Sequence, residues 1–372
     1  MTGKKVKTGT SARTRRRRVG RARKQAVFKT KRRASAIQGG SGSPWIRQAL
    51  QAGWRAGNAA RDAEAETKLL FVESHLQSTF SEWIYATMKS MPEYSLMKRM
   101  SAAYVQGYNE GAGSIEGGVP LPLQGSAAAV VCASSEEDSL DPMLAELERL
   151  PLKHIILVLN GSRDNSYSHA RSHPLVTAVY YPELLGHDVG RSIGARLTDA
   201  DTVLFCDGDM VIAAEELAPF IYAVDGGGCD AALNDLSGYL PLFEHQDEVT
   251  HCKSYLNLAL GRSDLGASSL TAVPHALSGR MIRDIGASQL TVPPKAQALA
   301  ILHGYRVEAV HAVDVFKGNR KRAGNTGKRN AVAELIIGDH AEALGELWRQ
   351  RYAFRSDTGA KRKEVASRRN AV

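Results

Sequence analysis

The sequence predicts an α/β protein: a Rossmann-like, mostly parallel sheet flanked by helices, with an N-terminal helical appendage. Three observations lead there. Between residues 126 and 212, short apolar runs of strand-forming residues alternate with amphipathic helical stretches. Each polar cluster in that region falls at a strand end, where open parallel sheets bind their ligands. Ahead of it, residues 44–113 carry apolar side chains at helical rather than alternating spacing.

The chain divides by composition into four parts: a basic tail at 1–43, the helical appendage at 44–119, the α/β domain at 120–330, and C-terminal helices with a frayed end at 331–372. Residues 1–40 hold 15 Lys or Arg and no Asp or Glu. The remainder has 33 basic against 39 acidic residues, so the overall charge of +9 belongs to the tail. So few large apolar residues cannot offset ordering entropy, and the tail is predicted to be disordered. Arg15-Arg16-Arg17-Arg18 and Lys31-Arg32-Arg33 suit contact with RNA, an anionic polymer or lipid head groups. The mildly acidic body argues against a specific nucleic-acid surface. No apolar run approaches the length of a membrane span. Four scattered cysteines without Cys-x-x-Cys spacing suggest a reducing compartment, and neither a zinc site nor a disulfide framework. The expectation is a cytoplasmic enzyme, peripheral to a membrane or an envelope polymer.

In the appendage, Ser43 can cap a helix with Pro44 at its first position. Gly53-Trp54-Arg55-Ala56-Gly57 and Gly107-Tyr108-Asn109-Glu110-Gly111 look alike, which points to tight helix contacts or a weak duplication. From Ser126 the texture changes. Strands are predicted at 127–134, 154–159, 175–181 and 202–207, and helices from 135 and over 189–197. Asn330 to Tyr352 reads as helix, with Gly338-Asp339-His340 as a break that splits it in two.

The chain is organised around Thr202 to Ile212, where two apolar runs flank Asp207-Gly208-Asp209. Alternation by two places both carboxylates on one side of a strand end, able to share a hard divalent cation such as Mg²⁺ or Mn²⁺. Gly208 leaves room for the turn and for a ligand. An isolated Asp-x-Asp is more often a plain polar loop, so the clusters on neighbouring strand ends carry the reading.

At these residues the chain resembles the family 2 glycosyltransferases, which have the nucleotide-sugar-binding GT-A fold. Ala133-Ser134-Ser135-Glu136-Glu137 stands where the family has its Pro-Ala-x-Asn-Glu-Glu-like segment. Leu159-Asn160-Gly161-Ser162-Arg163-Asp164-Asn165 stands for the Asp-Asp-Gly-Ser-x-Asp segment, and Gly190-Arg191-Ser192-Ile193-Gly194-Ala195-Arg196 approaches the Gly-x-x-x-Ala-Arg-Asn helix start. The likeness is specific over 126–212, looser to about 320, and does not cover 1–120. It implies that Ser134, Glu136, Asn160 and Asp164 hold the nucleoside and Arg191 lies near the diphosphate. It also implies that Asp207 and Asp209 bind Mn²⁺ or Mg²⁺ bridging that diphosphate, with Asp207 thereby touching the donor. Ser278 and Arg280 would flank the donor sugar and the acceptor.

One departure stands out. The family's Glu-Asp pair, whose aspartate is commonly the general base, is expected soon after Gly286. The chain there reads Leu290-Thr291-Val292-Pro293-Pro294-Lys295-Ala296-Gln297-Ala298, without a carboxylate. Either the base lies elsewhere, with Asp235 or Asp314 as candidates, or the enzyme retains configuration. His311 is a candidate third metal ligand, since imidazole can complete a Mn²⁺ site; a hydrogen-bonded strand histidine is the plainer reading. Lys317 to Arg322 form a basic loop able to close over phosphates. The expected function is a metal-dependent glycosyltransferase that moves a sugar (a hexose, by likeness) from a nucleotide-diphosphate donor to an unknown acceptor. The alternatives are a catalytically degenerate binding protein of the same fold and, less favoured by the acidic first loop, a sugar-phosphate nucleotidyltransferase.

Overall fold

The computed structural model describes residues 43–64, 72–113, 117–316 and 330–353. The basic tail up to residue 42, the basic loop at 317–322 and the end beyond 353 lie outside the described residues. Seven strands form one sheet in the order β3-β2-β1-β4-β6-β5-β7. They are β1 (Ala127–Ala133), β2 (His154–Asn160), β3 (Val176–Tyr181), β4 (Thr202–Asp207), β5 (Ala231–Asn234), β6 (His275–Ser278) and β7 (Val307–His311). The strands β3, β2, β1 and β4 run parallel, β6 is antiparallel to both neighbours, and β5 pairs with β7 in parallel. The predicted α/β class, with a mostly parallel helix-flanked sheet and an N-terminal helical segment, is what the chain adopts.

The strands are apolar on both faces because helices cover both. Ala127, Ala129 and Val131 point to the face covered by α4 (Glu137–Glu148) and α7 (Ala214–Asp225). Ala128 and Val130 point to the other face, packed by α6 (Val189–Arg196), α9 (Gly279–Ile285) and α10 (Pro293–Leu302). A short α5 (Ser166–Ala170) follows β2. The order of strands reverses between β1 and β4, and the crevice at such a reversal, beyond the strand C-termini, is where this architecture binds ligands.

The appendage comprises α1 (Pro44–Glu64), α2 (Val72–Thr87) and α3 (Tyr94–Ala112). The look-alike glycine pairs meet each other. A Cβ at Gly53 would stand 2.0 Å from Tyr104 O and one at Gly57 2.1 Å from Tyr108 O. In return, a Cβ at Gly107 would stand 2.0 Å from Leu50 O and one at Gly111 2.3 Å from Trp54 O. The two helices thus run in the same direction with their backbones in direct contact, which only glycine permits. Of the two sequence readings, tight helix contact is the one realised. The group is pinned to α7: Lys98 lies 3.3 Å from Glu216, and the Tyr222 hydroxyl donates to Pro92 O at 2.6 Å.

The last described helix, α11 (Ala331–Ala353), is continuous. The break expected at Gly338-Asp339-His340 does not occur; His340 is buried with Nδ1 2.7 Å from Ile336 O, a bond within the helix that makes the turn regular. Ala343 and Leu347 pack α11 onto α10 and α8 (Glu248–Ala259).

A buried histidine ties the core to pH. His275 stacks on Phe205 at 5.1 Å, and burial, with Arg191 adding, pulls its pKa down to about 3. The unfolded chain takes up this proton near pH 6.5 and the folded one does not, so the contribution is present above 6.5 and is lost on acidification towards 3. Lowering the pH from 7 to 5 is expected to remove about 2 kcal/mol of stability through this residue. Urea unfolding of His275→Asn protein checks this, as its stability should fall less steeply over that range.

Candidate active site

The site grows from the β1–β4 pair. Cys132 is in register with Asp207, the last residue of β4, and Gly208 N donates to Cys132 O at 2.8 Å. A Cβ at Gly208 would stand 2.6 Å from the Ala133 Cβ, so the turn that separates the two aspartates needs glycine. The Ser139 hydroxyl, from α4, fixes the turn by donating to Gly208 O at 2.8 Å.

Behind the pair stands Arg191, buried on α6. Its helix sits hard against β1 because Gly190 and Gly194 face Cys132 and Val130, where Cβ atoms would stand 2.9 and 2.3 Å away. The guanidinium lies 3.0 Å from Asp188, 3.8 Å from Asp207 and donates to Leu270 O at 2.9 Å. Burial pushes the Asp207 carboxyl up, as do Asp209 and Asp188, while Arg191 and His187 pull it down. The accumulated acid is only partly balanced, the setting in which a cation is held.

Two cavities share this floor of His187, Arg191, Asp207 and Asp209. The first, of about 310 Å³, is also lined by Ser134, Glu136 and Asn160, from the ends of β1 and β2. The second, of about 370 Å³, is walled by Thr250 and Lys253 of α8 and its cap Asp247, by Thr271 to Val273 ahead of β6, and by Val332, Ala333 and Ile336 of α11. Both carboxylates therefore face one continuous crevice. Among the described residues no group of three or more His, Cys, Asp or Glu is placed to hold a metal ion. Two carboxylates still fit Mg²⁺ or Mn²⁺, which completes its shell with water and phosphate oxygens.

The structure brings together Ser134, Glu136, Asn160, Arg191, Asp207 and Asp209. It places the other predicted residues elsewhere. Asp164 braces the first loop: Ser166 donates to one oxygen at 2.6 Å and Glu137 N to the other at 3.0 Å. Burial opposes its ionisation, but these hydrogen bonds hold its carboxyl below the usual range. Ser278 and Arg280 stand at the far edge of the sheet, because β6 is antiparallel and Ser278 pairs with Thr202, at the start of β4. There Ser278 caps α9 by accepting from Met281 N, and Arg280 lies over Tyr305 at 5.4 Å. The residues before β6 reach the crevice instead. Asp235 accepts from Ser237 N and Asp314 from Phe316 N, and neither lines either of these two cavities. His311 Nε2 lies 2.8 Å from Glu216, and it too lines neither. The stretch in which the Glu-Asp pair was expected holds buried Gln297, bonded to Leu270 N at 2.9 Å and to Asn257 at 2.7 Å.

The sequence reading missed His187, Asp188, Asp247 and Lys253. Asp188 had a signal, standing three residues before Arg191. On α11, burial, Asp188 and Glu342 push the Asp339 carboxyl up to about 6.

Residues 128–239 match the sequence profile of glycosyl transferase family 2. Over this stretch the chain is similar to the family 2 glycosyltransferases. The stretch spans β1 to β5 and carries both aspartates and Arg191. The second wall of the crevice, from α8, the β6 approach and α11, lies beyond the family 2 match. No curated protein matches the chain. Among solved structures it is similar to glucosyl-3-phosphoglycerate synthase from Mycobacterium tuberculosis in complex with Mn²⁺, UDP and glucosyl-3-phosphoglycerate. That likeness has 15% identity and a TM-score of 0.47, over 60% of this chain and 81% of that one. The same enzyme with Mg²⁺ and UDP gives 14% identity and 0.46, over 60% and 80%. With Mn²⁺, UDP-glucose and phosphoglyceric acid it gives 16% and 0.45, over 60% and 80%. Among the described residues no helix is long and apolar enough to cross a membrane.

Proposed function

We propose that the chain is a metal-dependent glycosyltransferase that takes a sugar from a nucleoside-diphosphate donor. The observation that carries this reading is the placement of Asp207 and Asp209 on the floor shared by two cavities. The nucleoside belongs in the cavity of Ser134, Glu136 and Asn160, and the acceptor in the cavity walled by α8 and α11. When bound, Mn²⁺ or Mg²⁺ supplies stabilisation of the charge that develops on the departing nucleoside diphosphate.

The chain's own residues prepare that chemistry. Asp207 and Asp209 would hold the cation, and Arg191 offsets their charge from behind while remaining fixed by Asp188 and Leu270 O. Asn160 fixes the loop over the nucleoside cavity, accepting from Leu185 N at 2.8 Å and donating to Gly186 O at 2.7 Å. Val332, Ala333 and Ile336 of α11 give the second cavity an apolar wall, which favours transfer over hydrolysis. The basic tail is suited to hold the enzyme near an anionic polymer or membrane surface.

Calorimetry with UDP, GDP, UDP-glucose, UDP-GlcNAc and GDP-mannose, each with and without Mn²⁺, tests the reading. One nucleotide series is expected to bind only with metal, and its sugar donor to be hydrolysed slowly in the absence of acceptor. Binding without any hydrolysis would favour a degenerate binding protein. No nucleotide binding in either condition sinks the transferase reading.

A further inference from the structure

The second cavity contains a cation that the donor chemistry does not use. Lys253 projects from α8 into the cavity that Thr250, three residues before it, and the helix cap Asp247, six before it, also line. Lys98, Lys153 and Lys295 each hold a carboxylate at 2.8–3.3 Å. Lys253 has neither an ion pair nor a hydrogen bond among the described residues. Asp247, the cap of α8, accepts from Thr250 N at 2.7 Å. Burial, with Arg191 adding, pulls the ammonium's pKa down to about 8, against a smaller upward effect of Asp247.

A partly buried ammonium without a direct ion pair is costly, and an arriving anion in contact with it lowers that cost. The walls around it, including Val249, Val273, Phe316 and Ile336, are apolar, which strengthens any charge pairing inside. The position says which molecule brings the anion. Arg191, Asp207 and Asp209 line both cavities and serve the diphosphate, whereas Lys253 lines only the second. Resting on the reading of that cavity as the acceptor's, we propose that Lys253, with the Thr250 hydroxyl beside it, binds an oxyanion of the acceptor. The acceptor is then a phosphorylated or carboxylated molecule.

Inorganic phosphate is the probe. It is titrated by calorimetry into full-length protein saturated with Mg²⁺ and whichever of UDP or GDP binds. Wild type, Lys253→Met and Lys253→Arg proteins are compared. Phosphate is expected to bind the wild-type complex, at least tenfold more weakly with methionine, and within threefold of wild type with arginine, while nucleotide affinity stays within twofold throughout. Removal of an unpaired charge should leave the methionine variant folded, with a melting temperature no lower than wild type. If methionine lowers nucleotide affinity tenfold, the lysine serves the donor and the proposal falls. It also falls if phosphate binds methionine and wild-type proteins alike, or binds neither. Should no nucleotide bind the wild type, the transferase reading fails by itself. The phosphate titration on the Mg²⁺ protein then still decides the oxyanion site.

Discussion

Asp207→Ala and Asp209→Ala proteins are each expected to lose metal-dependent nucleotide binding and to transfer sugar at least about a thousandfold more slowly. The reason is positional. The two carboxylates end β4 on the one surface that both cavities share, and Gly208 between them allows no substitute geometry. Stability should move little or rise for Asp207→Ala, because this carboxyl is raised by burial, Asp209 and Asp188, while Arg191 keeps Asp188 at 3.0 Å. Paired calorimetry and thermal melts separate the effects. A variant that folds and still binds nucleotide only with Mn²⁺ would remove the aspartates from the site.

The largest loss of stability is expected from the glycine seam of the appendage. In Gly107→Ala protein the new methyl would stand 2.0 Å from Leu50 O and 2.9 Å from Trp54 N, both backbone atoms. No rotamer change relieves such a clash, so α1 and α3 must separate by about an ångström and give up the packing along their length, at about 2–4 kcal/mol. This outweighs the roughly 1 kcal/mol that alanine offers over glycine within a helix. Gly338→Ala is the matched control, since a Cβ there meets nothing within 4 Å on a continuous helix. Its expected effect is a gain of up to about 1 kcal/mol. Opposite shifts of the urea midpoint in the two variants bear the argument out; equal shifts would show that the seam is looser than its geometry.

Much of this was legible in the chain. The apolar runs of β1, β2 and β4 are unambiguous because parallel strands covered on both faces need no polar alternation. The aspartates and the first two loops are legible because each lies at the end of such a run, and Arg191 because it stands in the glycine-spaced helix start of α6. The second half was harder, and β6 shows why. Its four residues give no sign of direction, and the antiparallel course sends Ser278 and Arg280 to the far edge while Thr271 to Val273 line the crevice. Lys253 belongs to no motif; only the packing of α8 against the β6 approach and α11 reveals that it points inward. Asp235 and Asp314 accept from nearby backbone N–H groups and His311 Nε2 lies 2.8 Å from Glu216, contacts between side chain and fold that the sequence does not display.

The seam between α1 and α3 also bears on the order in which the protein assembles. It joins residues about fifty positions apart, as Gly53 meets Tyr104, and it does so with both helices pointing the same way. The chain must travel back through α2 before α3 can close on α1, so closure entropy is incurred before any contact is gained. Such a contact forms late. A change such as Gly107→Ala should therefore leave the refolding rate nearly as it was and quicken unfolding, making the appendage a governor of the protein's lifetime more than of its birth.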